Sequence, residues 1–267
     1  MKLHNSFAIV AGCTAVSLMA FNVQAQSSFA GFYGQASTGY ESNQLGSKTD
    51  TATVSPYAKS DTSNTGPSQT FGGAPLVFGI GYNWQASDKW LIGLGADYSA
   101  LTQTSSSIPT TANNAPGSTS VASGANVILN GSTMQLSNRF NLFITPGYAI
   151  DKDKLIYVKA GYSQVTAQYN RSTSITRTAN GVSTTSAVEG GNVSSTQGGY
   201  LLGIGYKQVI KGGLYGFVEG NYMGYSAPSY SFTIKETYGG IASTKTVATS
   251  FASLNSFQAL VGLGYAF

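Results

Sequence analysis

Alternation of apolar and polar side chains is the dominant pattern of the chain, and it is clearest in residues 255–267. Every second residue there is apolar, from Phe257 through Val261 to Phe267, while the residues between them are mostly small or polar. A β-strand points successive side chains to opposite faces, so this period of two predicts a strand with two environments. Because the same pair of faces recurs along the chain, it indicates a barrel in a membrane.

Eight segments with this alternation follow residue 25, and the connections between them are alternately long and short. The predicted strands are residues 29–44, 75–85, 90–104, a segment ending at 139–150, 155–170, 197–210, a segment from 214, and a last one ending at 267. Short links fall at 86–89, 151–154 and 211–213. We therefore predict an all-β, eight-stranded antiparallel up-and-down transmembrane β-barrel with four long extracellular loops and three short periplasmic turns.

The composition supports a large lipid-facing surface. Only 9% of the 267 residues are charged, whereas soluble domains carry roughly 25%. Glycine, tyrosine and phenylalanine are abundant, with 33, 17 and 13 residues. A wall that faces lipid explains the deficit of charge.

The first 25 residues have the organisation of a secretory signal peptide. Lys2 precedes an apolar core at residues 7–21, and Val23 and Ala25 provide small residues for a cleavage site. A lipoprotein-like sequence ending at Cys13 is the alternative, but the apolar core continues beyond it. We expect cleavage after Ala25, which leaves residues 26–267 as the barrel domain.

The C-terminal residues LVGLGYAF resemble the C-terminal signal of bacterial outer-membrane barrels. Gly262, Tyr265 and Phe267 match that signal, whereas Leu260 stands where a polar residue is usual. The resemblance implies recognition by the barrel-assembly machinery. The whole pattern is similar to that of the OmpA/OmpX-like proteins, which implies the outer membrane of a Gram-negative bacterium, contact with lipopolysaccharide, and a monomer.

Several functional classes are disfavoured by the residue types. Cys13 is the only cysteine and His4 the only histidine, and both would be lost with the signal peptide. We therefore expect no nucleophile–histidine catalysis, no zinc or haem site and no disulfide. The net charge of +4 is too small and scattered to indicate nucleic-acid binding. The expected protein is not an enzyme and has no cofactor.

Six ionisable residues lie on the polar faces of the predicted strands and are assigned to the lumen. They are Glu41, Asp97, Arg139, Lys159, Lys207 and Glu219. An isolated charge in a narrow interior is costly, so we expect an ion-pair network, including a pair between Lys207 and Glu219. Eight strands enclose a space that side chains can fill, which predicts a plugged barrel. A small or gated pore is the alternative.

Four further residues bear on the wall of the barrel. Trp84 and Trp90 flank the link at 86–89 and are expected to anchor the barrel at one membrane interface. Pro146 and Pro228 lack the N–H of a strand ladder and could mark a lateral opening for a small apolar ligand. We favour a bulge at Pro146 and a position of Pro228 above the bilayer.

Two long connections carry hairpin patterns. Residues 172–178 and 182–188 alternate on either side of Asn180-Gly181, a dipeptide typical of tight hairpin turns. Residues 230–234 and 246–252 flank Gly239-Gly240 in the same manner. A membrane strand needs only about 9–11 residues, so both hairpins are expected to protrude; mobile polar loops are the alternative.

The expected function follows from these features. Serine, threonine, asparagine and glycine dominate the long connections, which suits contact with lipopolysaccharide or with host or phage surface ligands. We therefore expect a non-enzymatic protein for envelope integrity and surface interaction or adhesion. Passive transport of small solutes through a porin-like channel is the alternative.

Overall fold

The computed structural model describes residues 27–55, 59–112, 126–179, 181–187, 191–238 and 241–267. Most of these residues lie in antiparallel strands, and no helix among them is long and apolar enough to cross a membrane. The predicted signal peptide at residues 1–25 lies outside the described residues. So do Asn180 and the Gly239-Gly240 pair, which were expected at the tips of the two hairpins.

The described residues form eighteen strands. In chain order they are β1 (Gly31–Leu45), β2 (Lys48–Ser55), β3 (Lys59–Gly66), β4 (Gln69–Gly73), β5 (Leu76–Gln85), β6 (Trp90–Ser99), β7 (Gln103–Thr104), β8 (Thr110–Ala112), β9 (Asn126–Asn130), β10 (Thr133–Asp151), β11 (Lys154–Asn170), β12 (Ser174–Ala179), β13 (Val182–Ala187), β14 (Asn192–Lys211), β15 (Leu214–Tyr225), β16 (Ser229–Tyr238), β17 (Ile241–Phe251) and β18 (Leu254–Ala266).

Eight of these strands close into a barrel. Its ring order is β1, β5, β6, β10, β11, β14, β15 and β18, and β18 pairs with β1. Every neighbouring pair is antiparallel, and consecutive barrel strands are adjacent. A closed ring has no edge, so its main-chain polar groups are paired within the wall, as lipid requires. The predicted eight-stranded up-and-down barrel is confirmed.

The outer surface of the barrel is apolar. In β5, for example, Phe78, Ile80 and Trp84 are exposed, whereas the intervening Val77 and Asn83 are buried. Exposed apolar residues occur on all eight barrel strands, including Phe32, Leu94, Ile144, Val158, Ile204, Val218 and Leu263. So extensive an apolar belt would be unfavourable in water. This surface faces lipid, and the barrel spans the membrane.

The three short turns lie together at one end of the barrel, between β5 and β6, β10 and β11, and β14 and β15. The turn between β10 and β11 is exposed and charged, and Lys154 Nζ lies 2.9 Å from Asp151 Oδ2. The hydrogen bond from Lys154 holds the pKa of Asp151 below its ordinary value. These groups stay in water because the turn projects beyond the apolar belt.

The segment before β1 crosses the short-turn end of the lumen. Phe29 is 1% exposed and packs edge-on against Tyr215, with ring centroids 5.8 Å apart. The Asn83 side-chain amide donates to the Phe29 carbonyl at 2.8 Å, and the Ser27 N–H donates to the Gln85 side chain at 3.0 Å. The segment thereby covers this end of the lumen.

Neither proline opens the barrel wall. Pro146 was expected at a bulge, but it pairs with Ile92 of β6 without a register shift, and on the β11 side the ladder is interrupted at Pro146 and resumes at Gly147 in the same register. The irregularities of β10 lie between Ser137 and Phe140 and between Ala149 and Asp151. Pro228 lies between β15 and β16, outside the barrel strands, and its carbonyl accepts a hydrogen bond from the Phe251 N–H at 3.0 Å.

A second sheet rises from the long-connection end, and we call it the upper tier. It contains eight strands in the order β13, β12, β9, β8, β3, β2, β17 and β16. The predicted hairpins are present as β12–β13 and β16–β17. The tier also contains β2, β3, β8 and β9, which the sequence did not predict, so all four long connections contribute strands to it.

A hydrophobic core lies under the upper tier and fills the top of the lumen. It consists of Leu45, Phe71, Ile108, Met134, Leu136, Phe143, Val165, Ala167, Tyr169, Leu201, Met223, Tyr225, Tyr230, Phe251 and Leu254. A second apolar cluster fills the short-turn end, with Phe29, Tyr33, Leu91, Ala149, Leu155, Tyr157, Tyr215, Phe217 and Ala266. The buried charged side chains of the lumen lie between these two apolar clusters, near the sides that face each other.

Candidate functional site

Buried polar and charged side chains fill the lumen between the two apolar clusters, and we call them the polar layer. Its lower part is centred on Lys159, which extends into the lumen from β11. Its Nζ lies 2.7 Å from Asp97 Oδ2 and 2.9 Å from Glu219 Oε1. All three side chains are less than 5% exposed. The ammonium also lies 4.0 Å from the centroid of the Phe143 ring. One lysine therefore holds two carboxylates that come from strands on either side of it.

Neutral side chains complete the shells of both carboxylates. The Tyr157 hydroxyl donates to Glu219 Oε2 at 2.6 Å, and the Asn221 amide donates to Glu219 Oε1 at 2.7 Å. The Asn141 amide donates to Asp97. Buried carboxylates are tolerated only when such hydrogen bonds replace those of water. The cluster is built to keep two negative charges in place.

Lys207 lies beside this cluster and packs against aromatic rings. Its Nζ is 4.3 Å from the ring centroid of Tyr33, 4.9 Å from that of Tyr215 and 5.2 Å from that of Tyr157. The negative faces of the rings stabilise the ammonium. The predicted ion pair between Lys207 and Glu219 is replaced by these cation–π contacts.

The strand register explains this difference. Glu219 lies directly opposite Gly205, and Lys207 is two residues further along β14. Tyr157 is also opposite Gly205, where a Cβ would collide with its ring. The glycine admits the tyrosine, and the hydroxyl of the tyrosine occupies one oxygen of Glu219. Lys159 occupies the other, so Lys207 is left among the rings.

The upper part of the polar layer is centred on Arg139 of β10. Its guanidinium pairs with Glu41 and donates to Asn43 at 3.1 Å, to Ser256 at 3.0 Å and to the Tyr225 hydroxyl at 2.9 Å. The side chain is 3% exposed. A planar guanidinium has five N–H donors, so it can bind several acceptors at once. Arg139 thereby links four strands of the wall.

Glu41 receives further hydrogen bonds from amides. Gln258 Nε2 donates at 2.8 Å to the same oxygen that pairs with Arg139, and Asn43 Nδ2 donates to the other oxygen at 2.9 Å. Arg139 and Glu41 cancel in charge, as Lys159 and Lys207 cancel Asp97 and Glu219. The six lumenal charges identified in the sequence thus form two groups, each neutral as a whole.

A fourth buried ion pair lies in the upper tier and was missed in the sequence. Lys48 Nζ is 2.9 Å from Asp50 Oδ2 and donates to Thr110 at 2.9 Å and to the Tyr169 hydroxyl at 2.6 Å. Thr249 donates to Asp50 at 2.7 Å. Lys48 and Asp50 are two residues apart in β2 and therefore share a face. This spacing was the sequence signal that could have revealed the pair. The pair ties the tier to β11.

The residues of the predicted assembly signal are divided between the two faces of β18. Tyr265 and Phe267 point outward, 48% and 81% exposed, with ring centroids 5.1 Å apart. Gly262 points inward, and a Cβ there would collide with the Phe217 ring. The Phe267 N–H donates to the Phe32 carbonyl at 2.9 Å. The exposed aromatic pair therefore lies at the seam where the barrel closes.

The two tryptophans lie on the lipid-facing surface at the short-turn end. Trp84 is 51% exposed and packs against Tyr82, and Trp90 is 54% exposed and packs against Tyr148. Both flank the turn between β5 and β6. This arrangement is typical of aromatic residues at a membrane interface.

A hydroxyl-rich surface covers the upper tier. In β13, Ser183, Thr184 and Thr185 are exposed, and Ser231 and Thr233 are exposed in β16. Among the described residues there is no group of three or more His, Cys, Asp or Glu side chains that could hold a metal ion. The surface therefore carries many groups that both donate and accept hydrogen bonds.

No protein-family model matches the chain, and no curated protein matches it. Among solved structures, it is similar to the attachment invasion locus protein Ail of Yersinia pestis, with 13% identity over 86% of this chain and 99% of that one, and a TM-score of 0.31. It is also similar to the outer membrane protein OprG from Pseudomonas aeruginosa (12% identity, 89% and 96% coverage, TM-score 0.38). For the outer membrane protease OmpT from Escherichia coli, the values are 10% identity, 91% and 98% coverage, and a TM-score of 0.43. Because these identities and TM-scores are low, the similarities carry no argument, and the fold is established by the strand pairing of this chain.

Proposed function

We propose that the chain is a non-enzymatic outer-membrane protein of a Gram-negative bacterium that serves envelope integrity and surface interaction through its upper tier. In this proposal the signal peptide is cleaved after Ala25, and the upper tier faces the cell exterior. The barrel-assembly machinery recognises the strand that carries Gly262, Tyr265 and Phe267. The exposed apolar belt and the charged short turns support this orientation in the membrane.

The observation that carries the proposal is the upper tier itself. All four long connections form strands there instead of irregular loops. Ordered strands hold their exposed hydroxyl groups in fixed positions, which reduces the entropy lost when a ligand binds. Serine and threonine hydroxyls both donate and accept hydrogen bonds, so the surface suits lipopolysaccharide sugars or host and phage surface ligands.

The lumen supports a surface function over transport. Apolar clusters fill both of its ends, and the polar layer is held by ion pairs and hydrogen bonds. A gated pore remains the second candidate, and the buried charges favour it, because buried ion pairs often contribute little to stability. Such a pore would have to break the contacts of Lys159 or Arg139 and displace an apolar cluster at each end.

The proposal predicts that adhesion depends on the β12–β13 hairpin. Cells that produce a variant with residues 174–187 replaced by a two-residue Asn-Gly turn should adhere to cultured epithelial cells at least tenfold less than cells with the unaltered protein. The matched control carries Lys159→Met and Asp97→Asn, which changes the lumen alone, keeps it neutral and should adhere normally. The amounts of folded protein are compared by heat-shifted mobility on a gel, and cells with equal amounts are used. Unchanged adhesion without the hairpin, or lost adhesion in the control, would contradict the proposal.

A further inference from the structure

The upper tier is open along one side, although the barrel below it is closed. β13 leads into β14 and β16 follows β15, and β14 pairs with β15 throughout the barrel wall. β13 and β16 nevertheless form the two ends of the upper sheet. We call the gap between these two strands the seam. Among the described strands of the tier, these are the two that lack a neighbour on one side.

Main-chain groups of β13 point into the seam. The hydroxyls of Thr176 and Thr185 are 3.0 Å apart, and those of Thr178 and Ser183 are 2.8 Å apart. Such close side-chain contact marks the non-hydrogen-bonded pairs of an antiparallel ladder. The N–H and C=O groups of Ser183 and Thr185 therefore point away from β12. They are available to another strand.

Main-chain groups of β16 point into the seam from the other side. The Phe251 N–H donates to the Pro228 carbonyl, so the even-numbered positions of this ladder face β17. The N–H and C=O groups of Ser231 and Thr233 consequently point away from β17. Two unpaired edges thus border the same gap.

Neither edge is interrupted by a proline or a bulge. β13 also contains no charged residue, and it pairs with β12 without a register shift. β16 pairs regularly with β17, and its two charged residues, Lys235 and Glu236, lie in its second half, toward the β16–β17 turn. Proteins normally block free edges with charges, prolines or bulges. The edge of β13 and the first half of β16 are therefore suited to pairing.

Contacts at the base of β16 keep the seam open within one chain. The Tyr230 hydroxyl donates to the Ala167 carbonyl at 2.9 Å, and the Arg171 guanidinium lies 4.9 Å from the Phe232 ring centroid. Burial raises the pKa of Tyr230, so its hydroxyl keeps the proton that it donates. β16 is therefore anchored to the end of β11 and also contacts β14, whereas the described part of β13 makes no comparable contact with it.

The strand directions favour one kind of occupant. β13 runs toward the membrane and β16 runs away from it. A single inserted strand would be antiparallel to one edge and parallel to the other. A second copy, related by a two-fold axis along the barrel axis, would place its β16 against β13 and its β13 against β16. Both pairings are then antiparallel, like all the others in the molecule.

Two lipid-facing positions of β15, below the seam, are glycines, whereas the neighbouring β14 presents large side chains such as Ile204. Gly216 and Gly220 alternate with the exposed Leu214, Val218 and Tyr222 along β15. A Cβ at Gly220 would have no heavy atom within 4 Å, so packing within the chain does not require this glycine. Small residues on a lipid-facing wall allow a second barrel to approach closely.

From the open seam and the lipid-facing glycines of β15 below it, we propose that two copies of the chain form a symmetric dimer in the membrane. The seam of each upper tier pairs with the seam of the other, which joins the two open tiers into one closed ring. The β14–β15 walls face each other beneath it. This dimer replaces the monomer expected from the sequence, and it does not depend on the proposed adhesion.

Substitution of Gly220 tests the wall contact, and β1 offers a matched control. Gly34 also faces lipid and also has no heavy atom within 4 Å of a Cβ position, but it lies away from the seam. Sedimentation of the full chain in lipid nanodiscs should give twice the mass of one chain for the unaltered protein and for Gly34→Leu. Gly220→Leu should give the mass of a single chain. A monomeric unaltered protein, or a dimeric Gly220→Leu, would overturn the proposal.

Disulfide formation tests the seam directly. A chain with Thr185→Cys is mixed with a chain with Ser231→Cys or Thr233→Cys, all in a Cys13→Ser background, and the mixture is oxidised in the membrane. The dimer predicts a cross-linked species that contains both chains. A separate sample contains one chain that carries both cysteines. If cross-links form only within that chain, its own β13 and β16 meet across the seam and the proposal fails.

Discussion

Replacement of Lys159 by methionine is expected to lower the free energy of unfolding by about 3–5 kcal/mol, because it removes the ammonium that both buried carboxylates contact and leaves Lys207 to balance two negative charges. The side chains of Asp97 and Glu219 are 4% and 3% exposed, so water cannot replace the ammonium. Methionine has a similar length and flexibility, so packing against Phe143 is largely preserved. Urea unfolding in micelles, followed by the fluorescence of Trp84 and Trp90, measures the loss.

Two controls separate the effect of charge from the effect of packing. The double variant Lys159→Met and Asp97→Asn leaves Lys207 and Glu219 as a neutral pair and should regain most of the lost stability. Lys211→Met removes a lysine from an exposed turn and should change stability by less than about 0.5 kcal/mol. If the double variant were as unstable as the single one, the charges would not be the cause.

Replacement of Arg139 is expected to be comparably destabilising, for a different reason. Arg139→Met leaves the Glu41 carboxylate without its counter-ion and also removes the hydrogen bonds that the guanidinium donates to Asn43 and Ser256. We expect a loss of about 3–5 kcal/mol in the same urea measurement. The double variant Arg139→Met and Glu41→Gln should be more stable than the single one, because the uncompensated charge is gone.

The conservative variant Arg139→Lys provides the sharper comparison. Lysine retains the charge but has one nitrogen in place of the guanidinium fork, so it cannot serve four acceptors in the same geometry. Most of the loss should therefore persist in Arg139→Lys. Stability equal to that of the unaltered protein would show that charge alone matters at this position, contrary to the geometry described.

The barrel was predictable because its signal is local. Each membrane strand has one lipid-facing side, and alternation along residues such as Phe78, Ile80 and Trp84 reveals that side without knowledge of the neighbouring strands. The short turns were predictable in the same manner. Together they indicated eight strands and the faces of each, and they placed six charges in the lumen.

The partners of those charges were not predictable, because they depend on register between strands that are distant in sequence. Arg139 and Glu41 are 98 residues apart. Lys207 and Glu219 appeared to be neighbours across a short turn, but the Tyr157 ring fills the space over Gly205, and Lys159 reaches the carboxylate from the other side. The sequence around Tyr157 has no local pattern that predicts a hydrogen bond from its hydroxyl to Glu219 on a distant strand.

The upper tier was only partly predictable for a related reason. The hairpins β12–β13 and β16–β17 form between adjacent segments, and the dipeptides Asn180-Gly181 and Gly239-Gly240 between those segments predict them. By contrast, β2 pairs with β17, and β3 pairs with β8, across very different parts of the chain. The Lys48–Asp50 pair becomes buried only when these strands assemble.

The molecule thus combines a closed barrel, a filled lumen and an ordered surface sheet. The polar layer is neutral in each of its two parts, and the apolar clusters above and below it separate it from water. This construction fits the proposed function, in which the barrel is a scaffold that presents the upper tier to the outside. It does not suit the rapid passage of solutes.

Single-channel conductance in a planar lipid bilayer tests this account most directly. The full chain is inserted after its folding has been confirmed by heat-shifted mobility on a gel, and it is recorded beside a Glu219→Gln variant. A filled lumen predicts a silent bilayer for the unaltered protein at voltages that leave the membrane intact. Reproducible openings of the unaltered protein, altered in the Glu219→Gln variant, would contradict the account and assign the function to the lumen.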